Sequence, residues 1–219
     1  MITLALFAAL AAPADLCSIA LSGPFRESTT IDGTCALDRG PWEVCADVVA
    51  LAGEVGVDPR YALALAFHEG RLRDLPSFKG RDLVRAGRHP DNLPDWVERT
   101  TMQCKPRDHC PGGEVKGCDY MRRCMISLKR EVDTPRACRH EPQMMTLPVV
   151  GEVHTGKFKV ACRRVKRGTR SALRESFARY HMPYGPAPAY ADGVMRRFDQ
   201  LNAALHRAST GTTTAAASR

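Results

Sequence analysis

A glutamate and a set of cysteines are the residues of this chain whose type and spacing could do chemistry. Glu69 closes the apolar run LALAFHEG, just ahead of Gly70. At the C-terminal end of a helix, beside Leu65 and Phe67, the helix dipole and burial would both disfavour its ionised form. A carboxylic acid that keeps its proton near neutral pH is what glycosidic cleavage needs, because the leaving oxygen must be protonated. Arg71 and Arg73 oppose this effect if they fold back. His68 is adjacent in sequence, but neighbouring helical residues do not share a face, so a structural role is expected for it. The second set is Cys104, Cys110, Cys118 and Cys124, with His109 among them. Their intervals hold five, seven and five residues and contain no Cys-x-x-Cys pair. Disulfides are therefore expected ahead of zinc, with no metal and no organic cofactor. Cys118 and Cys124, if both helical, lie about 9 Å apart along the axis and should not pair with each other. Nine cysteines leave one over. Cys17, or Cys45 on a core-facing helix, is the candidate.

These residues need elements to position them. The chain has 219 residues, 44% hydrophobic and 26% charged, which suits one globular domain with decorations and excludes a disordered or low-complexity protein. MITLALFAALAAPA carries no charged side chain and is too short to span a bilayer. With Ala12-Pro13-Ala14 at its end, 1–14 is expected to be a secretory signal peptide. The nine cysteines agree with an oxidising, periplasmic or extracellular compartment. Residues 15–40 show no period and read as an N-terminal arm.

A helix is expected from Pro41, with Val44, Val48, Leu51 and Val55 on one face and Gly56 ending it. Asp58-Pro59 then opens an apolar helix stopped by Gly70. Residues 71–99 are turn-rich. A further helix spans about 119–131. Phe158, Val160 and Cys162 alternate with polar neighbours, and His154-Thr155-Gly156 could turn a hairpin within 147–165. Ser171 should cap a helix bearing Leu173, Phe177 and Tyr180, and the last helix should cover about 188–205. The tail, 208–219, reads as disordered. The fold class is mostly α, with a Cys-rich insertion and a possible small β-hairpin.

Three segments together resemble one family. VVALAGEVGVDPRYALALAFHEGRL is similar to the opening of the soluble lytic transglycosylase domain, a member of the lysozyme-like superfamily. Gly56, Val57, Asp58, Pro59 and Glu69 carry that match. TTMQCKP, with Met102, Gln103 and Pro106, resembles the family's substrate-cleft wall. SFARYHMPYGPAPAYADGVMRRF resembles its ending, with Tyr180 at the tyrosine that holds the catalytic Glu and Tyr190 and Val194 in the closing helix. The matches come in family order and cover much of 42–205. The chain departs from the family at Gly70, where Ser is usual, at Thr100-Thr101 in place of Gly-Leu, and at His181 in place of Asn.

The resemblance implies a lysozyme-like catalytic domain over 41–207 that cleaves the β-1,4 bond between N-acetylmuramic acid and N-acetylglucosamine. Glu69 would be the acid and base, Tyr180 its partner, and Met102, Gln103 and His181 the substrate-binding residues. Tyr180 also shares a face with Leu173 and Phe177, so its hydroxyl should be buried and need a partner. Peptidoglycan strands are the expected partner of a monomer with no membrane span. The net charge of +8 would help hold it on an anionic wall. Nine bases between Lys157 and Arg179 face one acid, Glu175, yet little aromatic interleaving and no nucleic-acid motif accompany them. A nucleic-acid partner is not expected. The alternatives are a hydrolysing muramidase, using Asp74, Asp82, Asp91 or Asp95 as second carboxylate, and a non-catalytic lysozyme-like wall-binding protein.

Overall fold

The computed structural model describes residues 13–26, 40–72, 75–76, 86–87, 99–102, 120–148, 151–181 and 187–216. Among them are six helices and two antiparallel strand pairs. In chain order these are α1 (Pro13–Ser22), α2 (Pro41–Val55), α3 (Pro59–Gly70), β1 (Leu75–Pro76), β2 (Arg99–Thr100), α4 (Tyr120–Asp133), β3 (Arg136–Leu147), β4 (Gly151–Arg164), α5 (Arg170–His181) and α6 (Pro188–Ala216). The mostly α expectation holds. No helix among the described residues is long and apolar enough to cross a membrane.

The central helix is α3, buried from Ala62 through Phe67 on every side, as an all-apolar stretch demands. Pro59 takes its first position and Asp58 Oδ1 accepts from Arg60 N at 2.9 Å. Helix α2 leads into it through a left-handed Gly56 at φ 77°, after which Val57 N donates to Ala52 O at 2.8 Å. The other end of α3 is less ordinary. Gly70 is its last helical residue, and the reversal falls on Arg71 and Leu72, both at φ 53°. Two consecutive non-glycine residues in the left-handed region cost about 1–2 kcal/mol each, so packing must hold them, and Leu72 is fully buried.

Residues 15–22 of the expected N-terminal arm are helical although their sequence shows no period. They form most of α1, whose Leu16, Cys17 and Ala20 enter the same core as α2, α3 and α6. Cys17 bonds Cys45, so the two candidates for an unpaired thiol are each other's partners. Phe25, just beyond α1, stacks on Phe67 with centroids 4.2 Å apart. Residues 1–12, which hold most of the expected signal peptide, lie outside the described residues.

Strands β3 and β4 make a hairpin far larger than the one expected within 147–165. It pairs Arg136 with Arg164 at its base and Leu147 with Gly151 at its tip. Thr155 does not turn the chain but lies in an irregularity of β4, where its hydroxyl donates to Gln143 O at 3.0 Å. Cys138 and Cys162 face each other across the strands and are bonded. The hairpin's base is anchored by Arg179 of α5. Arg179 Nε donates to Glu131 Oε2 of α4 at 2.9 Å, and Nη1 lies 2.8 Å from Cys138 Sγ. Both members of this ion pair are buried.

Helix α5 is capped by Thr169 rather than Ser171: Thr169 Oγ1 accepts from Ala172 N at 3.1 Å. Helix α6 continues through Ala216, across most of the tail expected to be disordered.

Candidate active site

Glu69 sits one residue before the end of α3, with its side chain 10% exposed. Three separate elements converge on it. The N-terminal turn of α6 brings Tyr190, the C-terminal end of α5 brings His181, and the chain leaving β2 brings Thr101 and Met102 against the end of α3. The short β1–β2 pairing of Leu75 with Thr100 closes the loop between α3 and that last segment.

The hydroxyl that donates to Glu69 Oε1 belongs to Tyr190, not to Tyr180 as expected. Tyr180 is buried one residue before His181 and lies near Tyr190. Burial first, then the Glu69 charge, raises the Tyr190 phenol well above its ordinary 10.0. Tyr190 therefore keeps its proton at any physiological pH and acts as a fixed donor.

Two histidines hold the Tyr190 ring. His181 stacks on it, centroids 3.9 Å apart and planes 14° from parallel. His68 meets it edge-on at 4.9 Å. His68 is thus part of the cluster, although adjacent positions of α3 carry it and Glu69. It reaches Tyr190 because Gly193 leaves room: a Cβ there would lie 2.4 Å from His68 Cε1. Desolvation lowers the pKa of both histidines, and for His68 the charges of Arg197, His181, Arg196 and Arg71 add to it. His181 Nδ1 is 3.9 Å from Glu69 Oε1, beyond hydrogen-bond reach. Among the described residues, the Tyr190 phenol holds the carboxyl in a wall of neutral rings.

Beneath Glu69 the packing is tight. Thr101 Oγ1 donates to Ala66 O at 3.2 Å, and a Cβ on Gly70 would meet Thr101 O at 2.7 Å and Thr101 Oγ1 at 2.9 Å. Met102 is fully buried. The structure places it in the core as a support for the site, where a cleft-wall position was expected. Arg71 does not lie free of the core either, its guanidinium carbon being 5.5 Å from the centroid of Phe67.

Gln103, Pro106 and the four candidate second carboxylates, Asp74, Asp82, Asp91 and Asp95, lie outside the described residues. So do Cys104, His109, Cys110 and Cys118. Cys124 is disulfide-bonded, which removes it from a zinc set. A cavity of about 480 Å³ lies toward the other end of α3, between Tyr61, α4, α5 and α6, but its charged rim is neutralised from within by Arg170–Asp199 and Arg167–Asp133.

Tyr190 and His68 are the members of the cluster that sequence reasoning assigned elsewhere. Tyr190 was visible as a position of the closing helix; nothing in local spacing distinguishes it from Tyr180 as the Glu69 donor. No protein-family model, no curated protein and no solved structure matches this chain.

Proposed function

We propose that this chain is an exported, lysozyme-like lytic transglycosylase acting on peptidoglycan. The observation that carries the reading is the Glu69 carboxyl, only 10% exposed at the end of α3 and oriented by the Tyr190 hydroxyl. The disulfides Cys17–Cys45 and Cys138–Cys162 support an oxidising compartment.

In this reading Glu69 protonates the oxygen of the β-1,4 bond between N-acetylmuramic acid and N-acetylglucosamine, and the bond to the muramyl C1 breaks. The resulting carboxylate takes the proton from the muramyl 6-hydroxyl, whose oxygen closes on C1 to give a 1,6-anhydro end. Glu69 begins and ends the cycle protonated, so one carboxyl suffices. Tyr190 holds the carboxyl in place through both steps and never ionises. His181, half exposed beside it, is placed to bond a sugar N-acetyl group.

The test is Glu69→Gln in a wall-digestion assay. Removing a positioned acid–base group costs on the order of 10²–10⁴ in rate, so turnover should vanish while glycan binding persists. Product mass then identifies the chemistry, because an anhydro end lacks one water relative to a reducing end. Reducing ends from the wild type would replace this reading with a hydrolysing muramidase. Binding without any product would replace it with a wall-binding protein.

A further inference from the structure

Among the described residues the large apolar side chains left exposed are Trp42, Met144, Met145, Phe158 and Val160, between 39% and 60% exposed. Four of these five stand on the β3–β4 hairpin. Pairing of Pro142 with Phe158 and of His140 with Val160 puts Phe158 and Val160 on one face of the ribbon, and Met144 follows two residues after Pro142, beyond the register irregularity that the extra residues of β4 make there. The opposite face carries Arg139, Glu141, Lys157, Lys159 and Arg163. The ribbon is therefore amphipathic, and it is basic: residues 136–164 hold six Lys or Arg against Glu141 and Glu152.

Its charges differ from those of the helices. Arg167, Arg170, Arg174 and Arg179 each pair with a carboxylate of the body. Glu141 engages Arg139 and Lys159, whereas Lys157, Arg163 and Arg164 make no ion pair among the described residues. The Cys138–Cys162 bond pins the register, so the apolar face cannot slip to the other side.

We propose that this hairpin is a docking element for an anionic lipid bilayer, lying in the interface with Phe158, Val160 and Met144 toward the acyl chains. An interfacial amphipathic segment buries its apolar face about 5–10 Å below the headgroup boundary, which leaves the backbone among the headgroups. Lys157, Lys159 and Arg163 then stand one side-chain length above, where lipid phosphates are. Met144 and Met145, successive residues of β3, put an exposed apolar side chain on each face of the ribbon, which a fluid phase can cover and a single rigid surface cannot. A second copy of the chain would bring two basic ribbons together, and a glycan would find no hydrogen-bonding groups on Met144, Phe158 and Val160. This surface is independent of the Glu69 chemistry.

The experiment is co-sedimentation of the whole protein with vesicles of phosphatidylcholine alone or mixed in equal parts with phosphatidylglycerol. The wild type should pellet with the mixed vesicles, bind the neutral ones about tenfold more weakly, and be released by high salt. Met144→Ser/Phe158→Ser/Val160→Ser and Lys157→Glu/Arg163→Glu/Arg164→Glu alter only exposed positions, and circular dichroism and the intact disulfide check their fold. Each should bind about tenfold more weakly, and Glu69→Gln should bind as the wild type does. A wild type that stays in the supernatant with anionic vesicles overturns the proposal, as does an apolar triple variant that binds undiminished.

Discussion

Thr101 occupies the space that any side chain at position 70 would need. The φ of Gly70 is not positive; what it supplies is the absence of a Cβ, since one there would lie 2.7 Å from Thr101 O. Gly70 and Thr101, two of the positions where the chain departs from the pattern it resembles, are therefore sterically complementary. Gly70→Ser forces the backbone of residues 100–102 to move and should destabilise the protein by about 1–3 kcal/mol. Urea unfolding measures it; an unchanged midpoint would mean that this segment yields freely.

Tyr190→Phe keeps the ring between His181 and His68 and removes only the bond to Glu69 Oε1. Stability should fall by about 1 kcal/mol. If Glu69 acts as proposed, wall cleavage should fall further, by about tenfold or more, because the carboxyl loses its orientation. Tyr180→Phe leaves that bond in place and should cost less activity. If Tyr180→Phe proves the more damaging, Tyr190 is not the positioning residue.

Burial holds the folded pKa values of His68 and His181 below their ordinary 6.5. In the unfolded chain both protonate near that value, so below it the unfolded state binds more protons than the folded one. Stability is then complete above pH 6.5 and declines as pH falls from there toward the depressed folded values. Unfolding midpoints taken between pH 8 and 5, at about unit intervals, should show the decline. His68→Gln should flatten it, and a slope unaltered by that change would place its origin in other groups.

The Cys17–Cys45 bond closes a loop of 28 residues in sequence and ties α1 to α2. The chain-entropy relation gives about 3–4 kcal/mol for a loop of that size. Cys17→Ser/Cys45→Ser should lose that much in chemical denaturation. Because Phe25 and Phe67 stack beneath the end of α3, looser docking of α1 should also lower activity at temperatures where the fold survives.

The helices were legible because their signals are local. Val44, Val48 and Leu51 were expected on one face and are buried, and Asp58-Pro59 opens α3 as its cap chemistry requires. The tyrosine that meets Glu69 was not legible, since Tyr180 and Tyr190 both lie on apolar helical stripes. The choice between them depends on how α5 and α6 approach α3, which no spacing encodes. The hairpin was half legible: Phe158, Val160 and Cys162 alternate, whereas β3 contains Pro142 and a polar run that hides its period. The end of α6 was missed because its Ser-Thr-Gly composition suggests disorder. Thr210 instead turns its hydroxyl onto His206 O at 3.0 Å within the helix.

The hairpin leaves and re-enters the helical body at a single point, where Val165 N donates to Pro135 O at 2.9 Å. Besides that neck, the described part of the ribbon meets the body at its base, where Cys138 lies against Arg179 of α5, so a longer or shorter excursion, or its loss, would be felt at the base and not at the Glu69 cluster. The length of the ribbon can therefore change without changing the geometry around Glu69. The body would register such a loss chiefly at Arg179, which would keep Glu131 and lose the sulfur of Cys138.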